Sequence, residues 1–198
     1  MNIQNRISEI LATEAAAIAA VRVTPAFEQA VITLRDSTGK VITAGMGKAG
    51  HVARKFASTL CSTGTPAHYL HPGEAAHGDL GIVEPGDCVV AFSTSGKTQE
   101  VIDMLGKSRA LGIGTIISIT SHPESELRDL SDIVVDMGII TEPCTHGLTP
   151  SASIAVMLAI SDALALVLMD LKQFSRAEFG RRHHGGYLGV QSRTDPEG

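Results

Sequence analysis

Cys88-Val89-Val90-Ala91-Phe92-Ser93-Thr94-Ser95-Gly96-Lys97-Thr98-Gln99-Glu100 is the stretch whose reading decides the fold. Its first five residues are apolar without alternation, which suits a strand covered on both faces in a parallel sheet. Hydroxyls follow at 93, 94, 95 and 98, and Gly96 leads into a helical pattern. Strand, polar turn and helix make half of a βαβ unit. The same order repeats outward from this point. Short apolar runs recur at Val41–Ala44, Ala67–Leu70, Thr115–Ile119 and Ile133–Val135. Helices are expected over 48–61, 98–111 and 124–129. This predicts an α/β fold, a three-layer α/β/α sandwich around a doubly wound, five-stranded parallel sheet. Upstream, Ile3, Ile7, Ile10 and Leu11 lie near helical spacing within 2–20, and Pro25 opens a second helix ending near 37–39. Downstream, a long helix over 151–172 and a shorter one over 175–181 close the chain. The most apolar stretch, 154–169, is interrupted by Ser161 and Asp162. It is expected to be a buried helix, short of the roughly 18 apolar residues of a membrane span.

A chain of 198 residues with 43% hydrophobic content suits a single domain. It is expected over 1–190, with 191–198 as a flexible tail. The net charge of −5 gives no basic surface for nucleic acid. Aromatics at 4%, with no Trp, disfavour base-stacking platforms. Cys61, Cys88 and Cys144 are an odd set without a CxxC pair, so neither a disulfide framework nor a structural zinc site is expected. A reducing cytoplasm is the expected compartment. The N-terminus lacks the basic and apolar blocks of a signal peptide. The expected partner is a small molecule, with no membrane and no nucleic acid.

Ligands of doubly wound sheets sit beyond the carboxyl ends of the strands. The hydroxyls of Ser93, Thr94, Ser95 and Thr98, set before a helix, suit a phosphate monoester. The plainer reading has Thr98 as an ordinary N-cap. Walker A spacing is absent. Gly45-Met46-Gly47-Lys48-Ala49-Gly50-His51 matches GxGxxG, but residues 65–70 hold no acid for a dinucleotide ribose. Lys48 suits an anion better. His71-Pro72-Gly73-Glu74-Ala75-Ala76-His77-Gly78-Asp79 is either a solvated loop or a site segment. His68, His71 and His77 match no standard zinc spacing. Glu142 is either an ordinary exposed acid or a site residue ahead of the long helix. His183 and His184 follow a helix that Gly185 could simply cap.

Together these segments resemble the sugar isomerase (SIS) domain family. The matching strings are GMGKAGH at 45–51, STGTP at 62–66, HPGEAAHGDLG at 71–81, STSGKTQE at 93–100, GLTPSAS at 147–153 and HHGGYLG at 183–189. They span nearly the whole chain in order, and HPGEAAHGDLG is similar to the arabinose-5-phosphate isomerase branch. The resemblance implies a flavodoxin-like sheet. It also implies interconversion of D-ribulose 5-phosphate and D-arabinose 5-phosphate through a cis-enediolate, supplying 3-deoxy-D-manno-octulosonate for lipopolysaccharide or capsule. Relatives often continue into paired CBS domains; this chain is expected to be the isomerase domain alone. The resemblance further implies a homotetramer with sites between subunits, and no cofactor or metal.

By the same resemblance Gly47, Lys48, Ser93, Thr94, Ser95 and Thr98 bind substrate. Glu142 is the base at carbon, and His183 moves protons at oxygen or opens the sugar ring. Lys48 stabilises enediolate charge, while Glu74, His77 and Glu100 orient groups. Two departures stand out: Lys97 replaces the usual Glu, and HHGG replaces HPGG, which leaves His183 or His184 as the entering histidine, with alignment favouring His183. Isomerisation of another phosphosugar (a hexulose or heptose phosphate) and non-catalytic sugar-phosphate sensing are the alternatives.

Overall fold

The computed structural model of the chain describes residues 1–194. Five strands, β1 (Val41–Gly45), β2 (Ala67–Tyr69), β3 (Cys88–Phe92), β4 (Thr115–Thr120) and β5 (Ile133–Asp136), form one parallel sheet in the order β2-β1-β3-β4-β5. The absence of apolar alternation in the sequence has its cause here, because both faces are covered. Val41, Val90, Phe92, Ile117 and Ile119 face a layer holding Phe56, Leu60, Met157 and Leu164. Ile42, Ala44, Val89, Ala91 and Ile116 face the other, with Val101, Leu105 and Leu127.

The first layer is built by α1 (Ile3–Ala19), α2 (Pro25–Asp36), α3 (Gly47–Ser62) and α7 (Ala152–Leu171). The second is built by α4 (Pro72–Ala75), a 3-10 turn (Asp79–Ile82), α5 (Gln99–Ala110) and α6 (Glu126–Leu130). The chain leaves β1 for β2 on one side and then crosses to β3 on the other. The winding therefore reverses between β1 and β3, and a crevice opens beyond the paired residues Gly45 and Phe92.

Helix direction sets the edge of the sheet on which each helix begins. α3 starts at the carboxyl end of β1 and ends at the Gly64–Thr65 turn that leads into β2. The ammonium of Lys172, just past α7, donates to Thr65 Oγ1 at 2.9 Å. Both helices thus run from the carboxyl edge of the sheet to its amino edge, packed side by side, with Lys55 of α3 paired to Asp162 of α7. Their N-termini open on the same edge as the crevice.

Four expectations change in detail. The 71–82 segment is not an open loop: its short helix and turn bury Ala75 and Val83 on the core. α1 forms as its spacing predicts, yet buries none of its residues, and Ile3, Ile7 and Leu11 face solvent. α7 has nearly the bounds expected, but its twenty residues do not fall short of a span: they are apolar enough to cross a membrane by length and composition alone. Half of that window is buried within the domain, against α1, α2 and α3. Finally, α8 (Arg176–Arg182) is followed by α9 (Gly186–Thr194), which runs past residue 190 into the segment expected to be tail. The remaining tail residues, 195–198, lie outside the described residues.

Candidate active site

The loop after β3 is held as a compact turn. Ser93 is buried, and its Oγ lies 2.9 Å from Thr98 Oγ1 while accepting the Gly96 amide at 3.1 Å. The Thr94 carbonyl accepts the amides of Ser121 and His122, which fastens the turn to the loop after β4. Ser95 and Lys97 stay exposed, and Ser95 Oγ accepts the Lys97 amide at 3.2 Å. Gly96 has φ +63, where a side chain is strained, and a Cβ there would sit 2.2 Å from Ser125 Oγ. Thr98 is the N-cap of α5 by position only, because its hydroxyl is spent on Ser93 and caps nothing. The Val101 amide turns back to the Thr98 carbonyl at 3.1 Å, and no N-cap side chain closes the start of α5, which disposes of the plain capping reading.

Across the crevice, Met46 begins α3, also without a side-chain cap. Gly47, at φ +54, and Lys48 are exposed at that helix start. The glycine string of this segment serves close packing. A Cβ on Gly50 would lie 2.5 Å from the Gly45 carbonyl and 2.8 Å from the Tyr69 hydroxyl. Tyr69 in turn donates to the Gly45 carbonyl at 3.0 Å.

Glu142 lies in the segment between β5 and α7, half-buried. Its Oε2 accepts the amides of Ser151 at 2.8 Å and Ala152 at 2.9 Å, and Oε1 accepts that of Ser153 at 3.3 Å. The Ser151 side chain at the N-cap makes no capping bond, so this carboxylate is the anion at the start of a twenty-residue helix. It is not the free, exposed acid that was the alternative. Arg6 of α1 donates to the Pro143 carbonyl and pins the same segment. Two residues on, Cys144 Sγ accepts the amides of Thr149 at 3.1 Å and Leu148 at 3.2 Å. The Thr149 amide and hydroxyl lower the thiol to about 7 against the opposing effect of burial, with smaller help from the amides of Leu148 and His146.

The sequence-derived residues fall into three places. Gly47, Lys48, Ser93, Thr94, Ser95, Thr98 and Glu100 border the crevice, with Glu100 in the first turn of α5. Glu142 faces the same edge from the start of α7. Glu74 and His77 are exposed on the β2 flank, where α4 packs beside α5. There Glu74 lines a cleft of ≈ 550 Å³ with Arg54, His68, Tyr69, His71 and Asp79. The Arg54 guanidinium lies 4.7 Å over the Tyr69 ring. Neither Arg54 nor Tyr69 was marked by the sequence, since an Arg inside a helix and a Tyr in a strand carry no motif. No group of three or more His, Cys, Asp or Glu among the described residues is arranged to hold a metal ion.

His183 does not join the others within the chain. It stacks on Phe179 at 3.8 Å, with Nδ1 3.0 Å from the Phe179 carbonyl oxygen. The neighbouring Arg182 lies over the Phe174 ring, which packs against Gly64 at the amino edge of the sheet. A five-residue strand, roughly 17 Å of chain, separates that edge from the crevice.

The SIS domain family pattern matches residues 33–167. Arabinose 5-phosphate isomerase KdsD of Pseudomonas aeruginosa is 42% identical over 163 residues, 82% of this chain and 50% of the relative. The KdsD of Escherichia coli K12 is 43% identical over 151 residues, 76% of this chain and 46% of the relative. The chain spans about half the length of these curated relatives. Among solved structures, a Bacteroides fragilis protein described as a candidate phosphosugar isomerase involved in capsule formation is 41% identical. It has a TM-score of 0.90, covering 94% of this chain and 100% of that one. An Escherichia coli CFT073 protein in complex with arabinose 5-phosphate is 38% identical, with a TM-score of 0.87, covering 92% of this chain and 100% of that one. A hydroxyl turn, an uncapped helix start and a seated carboxylate around one switch point thus meet a family match over most of the sheet, and the chain belongs to the SIS domain family.

Proposed function

We propose that the chain is an aldose–ketose isomerase interconverting D-arabinose 5-phosphate and D-ribulose 5-phosphate. Its product supplies 3-deoxy-D-manno-octulosonate synthesis in the cytoplasm, for lipopolysaccharide or capsule. The observation that carries this reading is the convergence of the hydroxyl turn, the open start of α5 and the seated Glu142 on one sheet edge. Likeness to a protein of matching length bound to arabinose 5-phosphate supports the choice of sugar.

In this mechanism the phosphate is held by Ser93, Thr94, Ser95, Thr98 and the first-turn amides of α5. Glu142 takes the proton from C2 of the open-chain aldose. The C–H electron pair becomes the C1=C2 bond, and charge gathers on the carbonyl oxygen, where Lys48 offsets it. A proton passes from O2 to O1, and Glu142 returns its proton to C1. Glu74, His77 and Glu100 orient the sugar hydroxyls. His183 serves the oxygens and opens the furanose ring; only the aldose needs this, because O5 of the ketose is esterified.

Since His183 lies at the far edge of its own chain, a second copy brings it to the crevice, and the working form is a homotetramer. Surface apolarity supports assembly. An apolar groove of ≈ 670 Å³ runs between α2 and α7, lined by Val21, Phe27, Val31, Ile160, Leu164 and Val167, beside the exposed stripe of α1.

The test is to incubate purified protein with each pentose phosphate and follow the other by coupled assay. Interconversion in both directions is expected. Turnover of a hexulose or heptose phosphate in its place, or none at all, overturns the choice of sugar or the enzyme reading.

A further inference from the structure

The two oxygens of Glu142 are not equivalent. Oε2 takes two short amide bonds, from Ser151 and Ala152, and is committed to the helix. Oε1 takes one long bond, 3.3 Å from the Ser153 amide, and keeps a lone pair for other work. Ser153 is 2% exposed, and its hydroxyl is sealed from solvent without a hydrogen-bond partner. Buried hydroxyls are almost always paired, so an orphan calls for an explanation, and a bond made in another state of the protein supplies one. A small molecule cannot reach a sealed oxygen directly. A change of χ1 between staggered wells moves it by itself. The acceptor at hand is Oε1 of Glu142, already touched by the amide of the same residue.

We propose that Ser153 is a positioning residue for Glu142. On rotation its hydroxyl takes over from the long amide bond to Oε1, which leaves the other lone pair of that oxygen aimed at the substrate carbon. The proposal rests on the reading of Glu142 as the base. In the step concerned, the C2–H bond breaks, the Oε1–H bond forms, and the electron pair enters C1=C2. Ser153 keeps its own proton throughout.

The experiment compares Ser153→Ala and Ser153→Cys with the unmodified protein, using D-arabinose 5-phosphate with and without deuterium at C2. Alanine removes an unpaired hydroxyl, so Tm should hold or rise. The same variant should lose about tenfold or more in kcat with KM within about twofold, since misaiming a base costs rate more than binding. The deuterium effect should grow, and the cysteine variant, a weak donor, should fall between. Unchanged kcat and isotope effect in Ser153→Ala overturn the proposal. So does a Tm fall of several degrees with matching activity loss in both variants, which marks a packing role. Absence of turnover in the unmodified protein instead overturns the isomerase reading itself.

Discussion

Glu142 has two jobs on one carboxylate. It completes the N-terminus of α7 from a position nine residues before the N-cap, and in the proposed reading its Oε1 is also the base. Helix capping explains why this acid is fixed in place rather than swinging on a loop, and a fixed base is what proton transfer at carbon requires. Its neighbour Cys144 is held by a similar device, main-chain amides closing on an anion-forming atom. Because the Thr149 and Leu148 amides favour the thiolate, its ionisation is centred about 7 instead of near 9. Alkylation of Cys144 by iodoacetamide, followed by peptide mass spectrometry, should therefore reach half its limiting rate near pH 7. The sign for stability follows from the lowered value. The thiolate stabilises the fold fully above the unfolded thiol's pKa, and that contribution fades as pH falls through about 7. A labelling midpoint near 9 would remove the amide cradle as the cause.

At the scale of elements, β1 and β3 each end in a turn and feed a helix, α3 and α5, whose N-cap side chain makes no bond to the helix. The turn after β3 depends on Gly96 more than on any hydroxyl. With φ +63, and with Ser125 Oγ only 2.2 Å from where a Cβ would stand, alanine is strained twice. Gly96→Ala should cost on the order of 2 kcal/mol, from the left-handed backbone and the clash together. Because the same turn frames the proposed phosphate site, KM for the pentose phosphate should rise alongside. Calorimetry and steady-state kinetics check both; a variant with unchanged Tm and KM refutes this role for the turn. The strands, by contrast, were legible as sequence, since a parallel sheet covered on both faces needs uninterrupted apolar residues. The 71–82 segment was not, because a four-residue helix and a 3-10 turn carry too few positions for any periodicity to show.

For the whole molecule, the site is spread over one chain's carboxyl edge and, in the proposed reading, another chain's C-terminal segment. This has a direct test. Glu142→Gln and His183→Ala should each be inactive alone, and mixed tetramers should regain turnover where an intact His183 meets an intact Glu142. Activity of subunits dissociated and reassociated together should exceed that of either variant treated alike. A mixture no more active than its parts would return His183 to a structural role against Phe179. In the proposed reading the acidic chain, net charge −5, gathers its anionic substrate locally, through Lys48, Lys97 and helix starts, not through its overall field.

The sequence by itself determined the sheet, the order of its helices and the family, because burial on both strand faces and fixed turn chemistry leave direct marks on residue type. It also marked Glu142 and the 93–98 turn as chemically distinctive. Only the tertiary structure decided what those marks mean. Thr98 bonds Ser93 and does not cap its helix, Glu142 caps a helix with two short bonds on one oxygen and one long bond on the other, and Ser153 is buried with its hydroxyl unpaired. His183 sits at the opposite edge from the crevice. Such facts depend on which atoms meet across dozens of residues, and hydrogen-bond partnership is a property of packed coordinates that local pattern does not encode.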